Sequence, residues 1–427
     1  MLQEQEPPSR DWLSALIVWG LALSPVVIGF TATAIDGGHY VRDSGYNRVW
    51  ISSGETAQLL RIATIAAMTP LVMLLGSRAL FDRGTRWGLL GLCGVIVLLA
   101  EVTRLGQSSP LTLVSIFLGC ALLMFSGSLQ ISPFVVRGLA VALAIVSLSL
   151  WAHFAIDPVA SASPCRADKC SPIGGLMHGF FSQENTLGLY VASLIPTAAA
   201  VRARTLRWLV VALALSIIIA TGGRTPMLSA MAGLLGMYIA APFRGEAPRT
   251  FTRMIRPVAW LPLLAFLAST ALFVALPPAA LTGRGEIYAL VKKGLAEAPL
   301  LGPGSAKLLD AYSNGQAGWV IAHEHGEAPH ILNTGGIVLF VVFVIALFQV
   351  AARSWRAPGI LPIAFAVMPA VGFLSEPTWM FDVRGSNFWT LVVTSTLVAA
   401  SAGGAQDGRG SPPPEDLVVP ATPGVRI

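Results

Sequence analysis

Three of the chain's six histidines, His323, His325 and His330, fall within eight residues of WVIAHEHGEAPHILNTGG (319–336), with Glu324 and Glu327 between them. Two chemistries suit such a cluster. The spacing His-x-His-x4-His could ligate zinc, but zinc motifs of that type occur on strands and no further donor set clearly completes this one. No metal and no cofactor is therefore expected. The better use is general-base catalysis, because imidazole near neutral pH can take a proton from a hydroxyl as that hydroxyl attacks. A negatively charged leaving group then calls for cations placed opposite. The plainer alternative has the histidines decorating a loop at a membrane interface.

Suitable cations exist. Arg224, in ATGGRTPMLS (220–229), is the lone charge between two apolar runs. Gly222 and Gly223 let the backbone approach a ligand, and Pro226 fits the first turn of the following helix. A guanidinium beside helix-N-terminal amides suits phosphate oxygens, although an arginine anchoring a turn at the interface would look the same. Arg284 stands just before residues 286–296, whose Ile287, Leu290, Val291 and Leu295 share one face of a predicted helix lying on the membrane surface. Lys292 and Lys293 are expected at solvent or headgroups. Gln183, Glu184 and Asn185 open another apolar run. They could hydrogen-bond a polar ligand or simply form a helix start capped by Ser182.

The elements that position these residues must be membrane helices. The chain has 427 residues, 54% hydrophobic and 12% charged, with mean hydropathy +0.69, whereas soluble domains carry about 25% charge. Twelve apolar segments are long enough to be read as spans: 12–35, 57–77, 87–103, 109–127, 133–154, 181–201, 206–222, 225–242, 258–277, 331–351, 359–375 and 386–402. The fold class is thus an all-α, polytopic integral membrane protein. Pro25, Pro70, Pro196 and Pro369 lie inside spans and predict local kinks. Residues 1–11 form an N-terminal tail, 12–402 the membrane domain, and 403–427, with SPPPED and scattered glycines, a disordered tail. The first run is too long for a signal peptide and lacks a cleavage site.

Charge fixes the expected orientation. With the N-terminus in the cytoplasm, inside loops and tails hold sixteen of the 28 Lys and Arg residues, as the positive-inside rule requires. Both termini are then cytoplasmic, the protein sits in the cell membrane, and residues 278–330 form a long extracytoplasmic segment before the tenth span. The same side receives Arg224 and the loop with Cys165 and Cys170, a disulfide candidate because that compartment is oxidising. Cys93 and Cys120 fall within spans. The net charge of +6 is scattered over short loops and forms no basic face, so nucleic acid is not an expected partner.

Taken in order, the four clusters resemble the O-antigen ligase and O-antigen polymerase superfamily of bacterial envelope glycan enzymes, over about residues 175–348. A G-F-x-x-x-x-N segment is matched by Gly179, Phe180 and Asn185. A T-G-S-R-type turn is matched by TGGR ending in Arg224, with Gly223 in place of serine. G-R-x-x-x-[WY] and P-L-L-G-x-G are matched by GRGEIY, with Arg284 and Tyr288, and by Pro299, Leu300, Leu301, Gly302 and Gly304. The last motif departs: counting eleven residues back from Gly336 gives His325, whereas aligning NTGG with the family's E-T-G gives Glu324, between His325 and His323.

The resemblance implies a metal-independent, inverting glycosyltransferase whose donor is a polyprenyl-pyrophosphate-linked glycan and whose acceptor is a glycan or glycolipid hydroxyl, with membrane lipids as surroundings. Arg224 and Arg284 would bind the pyrophosphate, with Asn185 and Tyr288 in the substrate site. His325, or else His323, would activate the acceptor. Ligase and polymerase share these motifs. A transporter or flippase of lipid-linked or small anionic solutes could use the same arginines, although no internal repeat supports one; a non-catalytic scaffold is the third reading.

Overall fold

The computed structural model describes residues 9–36, 40–42, 48–50, 56, 59–71, 88–104, 110–126, 133–166, 169–181, 183–240, 250, 254–278, 284–304, 325–356, 368–379, 381, 388, 390 and 391. His323, Glu324 and the expected tail 403–427 lie outside them, as does most of the expected spans 359–375 and 386–402.

The described residues are mainly helical, and five helical stretches are long and apolar enough to cross a membrane: Trp12–Ile35, Phe134–Ile156, Arg204–Thr221, Arg256–Ala275 and Glu327–Ala352. In chain order the helices begin with α1 (Ser9–Asp36), α2 (Leu59–Leu71), α3 (Gly88–Thr103), α4 (Pro110–Ser126) and α5 (Pro133–Ile156). They continue with the short α6 (Pro158–Ser161), α7 (Glu184–Leu194), α8 (Arg204–Thr221), α9 (Arg224–Ala240), α10 (Leu261–Ala275), α11 (Arg284–Glu297) and α12 (Glu327–Arg356). Two antiparallel strand pairs, which the sequence reading did not include, are β1 (Tyr40–Arg42) with β2 (Arg48–Trp50) and β3 (Ala162–Pro164) with β4 (Gly175–Met177).

Packing follows the apolar faces. Helix α1 lies on α5, α3 on α4 and α12, α7 on α8 and α9, and α10 on α12. One continuous core includes Tyr190, Phe266, Phe343 and Phe373, all buried. Away from it, Leu148, Leu209, Leu235, Leu264 and Phe348 are exposed, as helices facing lipid hydrocarbon require.

Proline effects differ by position. Helix α1 runs on through Pro25, whereas α7 gives way at Pro196 to a 3-10 segment, Ile195–Ala200. The predicted surface helix exists as α11, but its apolar side faces protein: Tyr288 and Val291 pack with Phe273 of α10 and Leu332 of α12. Lys292, at an exposed position, donates to the Val274 carbonyl at 3.0 Å.

The last long helix is discontinuous. At Gly336 the backbone adopts φ 62° and ψ −158°, and helical geometry resumes beyond it. A break in a membrane helix leaves backbone groups that must find partners elsewhere. Residues 299–304 supply them: Ile337 N donates to Pro299 O at 2.9 Å, Val338 N to Leu300 O at 3.2 Å, and Gly304 N to Asn333 O at 2.8 Å. Arg104, just past α3, clamps the same place by donating to Leu301 O at 2.6 Å, Gly302 O at 2.7 Å and Thr334 O at 3.3 Å. The PLLGPG loop is thus a wedge in the helix break.

Candidate functional site

Three helices present their N-terminal ends to one short segment, residues 375–379 (SEPTW). Thr225, second residue of α9, shares a hydrogen bond with Ser375 at 2.9 Å between hydroxyl oxygens. Asn185, second residue of α7, donates its amide to Glu376 Oε1 at 3.0 Å. Glu327, first residue of α12, accepts through Oε2 from Thr378 N at 2.7 Å, Thr378 Oγ1 at 3.0 Å and Trp379 N at 3.2 Å. Helix α11 is tied through Tyr288 to His325, just before α12, as described below. Helix N-termini carry partial positive charge and unsatisfied N–H groups, which favour anions nearby.

Just before α12, His325 holds a backbone conformation rare for a residue with a side chain, at φ 45°, and Gly326 follows at φ 124°. Such geometry is costly and persists where surroundings enforce it, often at functional sites. The enforcement is visible. The buried Tyr288 hydroxyl donates to the His325 carbonyl at 2.6 Å, and the Tyr288 ring is held edge-on to Phe273, centroids 5.5 Å apart. The turn directs His325 Nδ1 toward Glu376 Oε2 at 3.5 Å, beyond the usual hydrogen-bond range but within that of a charge contact. Glu376 itself is buried.

Asn185 links this pair to a third piece. Between β3 and β4 a loop closed by the Cys165–Cys170 disulfide, Cα atoms 4.6 Å apart, carries Arg166 and Lys169, whose backbones bond each other in both directions. Lys169 Nζ donates to Asn185 Oδ1 at 2.9 Å and to Glu184 Oε1 at 2.9 Å, and Arg166 adds a bond to Glu184 at 3.0 Å. Burial pulls the Lys169 ammonium below the ordinary lysine value, opposed by Glu184 and Glu376. For Tyr288, burial pushes the phenol up; Arg284 opposes this and Glu376 adds to it.

The two arginines occupy equivalent places. Arg224 is the first residue of α9 and exposed, following Gly222, which caps α8 in the left-handed region at φ 61°. Gly223 leaves room for Asn185, since a Cβ there would lie 2.7 Å from Asn185 Oδ1. Arg284 is the first residue of α11, half-buried, one turn from Tyr288.

Of the residues singled out in the sequence, Asn185, Tyr288 and His325 belong to one connected network, and Arg224 adjoins it through Thr225 and Gly223. His330, expected at the membrane interface, is buried within α12. The sequence reading did not single out Glu376 or Lys169, and it noted Glu327 only as a carboxylate between the histidines. A carboxylate beside a span was the available signal for Glu376, because such a group is costly without a partner or a task. Among the described residues, no three His, Cys, Asp or Glu side chains form a group that could hold a metal ion. Comparison with protein-family models, curated proteins and solved structures gives no match to this chain.

Proposed function

We propose that this membrane protein is a glycosyltransferase of the O-antigen ligase and polymerase type, moving a glycan from a polyprenyl-pyrophosphate donor to an acceptor hydroxyl at the extracytoplasmic face. The observation that carries the reading is the His325 turn: an imidazole held in a strained backbone by Tyr288, facing Glu376, with helix N-termini around it. A carboxylate at Nδ1 orients the ring and leaves Nε2 to receive a proton.

In the proposed reaction the acceptor oxygen attacks the anomeric carbon of the donor sugar and its proton passes to His325 Nε2. The new C–O bond forms as the bond from that carbon to the pyrophosphate oxygen breaks. Attack opposite the leaving group inverts the anomeric configuration. Polyprenyl pyrophosphate departs with the bonding electron pair, its negative charge met by Arg224, Arg284 and the N-terminal amides of α9 and α11. Glu376 stabilises the imidazolium, and Asn185 fixes Glu376.

The test uses purified full-length protein in lipid nanodiscs with a polyprenyl-pyrophosphate glycan and an acceptor glycan or glycolipid. Release of polyprenyl pyrophosphate by wild type, and its loss on His325→Ala, is the expected result. Binding or transbilayer movement of the donor without release would overturn the reading in favour of a transporter.

A further inference from the structure

Asn185 stands between two groups of fixed polarity. Lys169 has only donors to offer, and an ionised Glu376 only acceptors. The amide therefore has one orientation that serves both, with Oδ1 on Lys169 at 2.9 Å and Nδ2 on Glu376 at 3.0 Å. With Oε1 of Glu376 engaged in this way, Oε2 is the oxygen that faces His325 Nδ1 at 3.5 Å. The chain from Lys169 through Asn185 and Glu376 to His325 crosses three separate parts of the sequence, and each step is a polar contact between side chains.

We propose that Lys169 is a positioning residue for His325, acting through Asn185 and Glu376, and that the loop closed by Cys165 and Cys170 is the device that delivers it. The proposal rests on the reading of His325 as the base. Lys169 touches neither the imidazole nor the reacting atoms. Its ammonium pins the amide in the orientation that donates to Glu376. Glu184 and Arg166 hold the lysine in turn: Glu184 accepts from both cations through the same oxygen, and the Arg166 and Lys169 backbones are cross-bonded inside the closed loop. A cation on a free loop would lose backbone entropy at each approach to Asn185. The covalent closure and the β3–β4 pair remove most of that freedom beforehand.

The experiment compares wild type, Lys169→Met and Lys169→Arg as full chains in nanodiscs with 15N-labelled histidine. The chain has six histidines, so the His325 ring resonances are assigned by their absence in His325→Ala. Lys169→Met is expected to shift the His325 ring nitrogen resonances and to lower kcat about tenfold with KM within about twofold, the signature of a misplaced catalytic group. Lys169→Arg, which keeps the charge and the donors, is expected to restore both in large part. Should Lys169→Met fail to fold, Asn185→Asp replaces the amide donor to Glu376 and is expected to move the same resonances. Unchanged His325 resonances in a folded Lys169→Met or Asn185→Asp protein would overturn the proposal, as would a rise in KM at constant kcat. The resonance comparison needs no turnover. If wild type releases no polyprenyl pyrophosphate while the His325 signals still answer to Lys169, the glycosyltransferase reading fails and the positioning role stands.

Discussion

The hydroxyl of Tyr288 donates to the backbone carbonyl of His325 across 2.6 Å, tying a residue at φ 45° to a different helix. The bond acts on the peptide unit and not on the imidazole. It thereby sets where the ring points without competing for either nitrogen.

Tyr288→Phe keeps the ring against Phe273 and removes only this bond, so the expected stability loss is about 1 kcal/mol. Turnover is expected to fall more steeply, by about tenfold or more, because the turn carrying His325 is released. Thermal unfolding and kcat measured on one preparation check the contrast. The phenol pKa is raised by burial from its ordinary value of 10.0. Its contribution to stability is therefore complete below pH 10.0 and lost as pH climbs through the higher folded value. Tyr288→Phe should abolish that part of the alkaline slope.

Glu327 is fully buried, and three donors from Thr378 and Trp379 meet one of its oxygens. Glu327→Ala strands two buried amides and a hydroxyl, at a cost on the order of 3–5 kcal/mol. Glu327→Gln retains an acceptor and should lose less than half as much. Detergent-solubilised unfolding curves that rank the variants in the opposite order would contradict the role of Glu327 in fastening residues 375–379.

At Gly336 the left-handed backbone coincides with close approach to Leu300 O and Gly302 N, which a Cβ would strike. Gly336→Ala is expected to destabilise by about 1–3 kcal/mol from backbone strain, with more from expulsion of the 299–304 wedge. Gly336→Asn should not rescue it, because φ 62° with ψ −158° is a conformation essentially reserved for glycine and the obstacle is also one of space. Melting temperatures of the two variants provide the check.

Arg224→Gln and Arg284→Gln should each raise KM for the lipid donor about tenfold or more while leaving acceptor KM nearly unchanged, since under the proposed function each removes a charged contact to pyrophosphate. Lysine at either position should recover only part of the loss, because it supplies charge without the planar fork. Equal effects on both substrates would argue against a pyrophosphate role.

The Cys165–Cys170 bond is checked by peptide mass: alkylation after reduction should add two adducts to the loop peptide that are absent without reduction. Replacing both cysteines by serine should cost about 2 kcal/mol, the entropy expected for so short a loop.

The mainly helical architecture and five of the twelve expected spans were legible because apolar runs of spanning length have few other fates, and α11 because its apolar residues recur at helical spacing. Arg224, Arg284 and His325 drew notice by type, being ionisable groups beside apolar runs. Glu376 met the same criterion and was passed over, because nothing near it in sequence suggested an imidazole or an amide as partner. Both partners lie far away in the chain, at positions 185 and 325, and only the packing of α7 and α12 reveals them. The same holds for Lys169, whose neighbours in sequence read as an exposed loop. Arg104 clamps a helix break some two hundred residues later, and nothing beside it in the sequence points there.

The wedge at Gly336 and the Tyr288 bond at His325 lie at opposite ends of one circuit. From Tyr288 the chain runs along α11 to residues 299–304, crosses by the Gly304 to Asn333 hydrogen bond into α12, and returns along its first turns to His325. Such a circuit is a triangulated frame: the proposed base and the helix that starts at Arg284 cannot swing independently. Room for the proposed lipid-linked sugar would then come from the opposite wall, where residues 375–379 meet the frame through the Thr378 and Trp379 hydrogen bonds to Glu327 and the contact of Glu376 with His325.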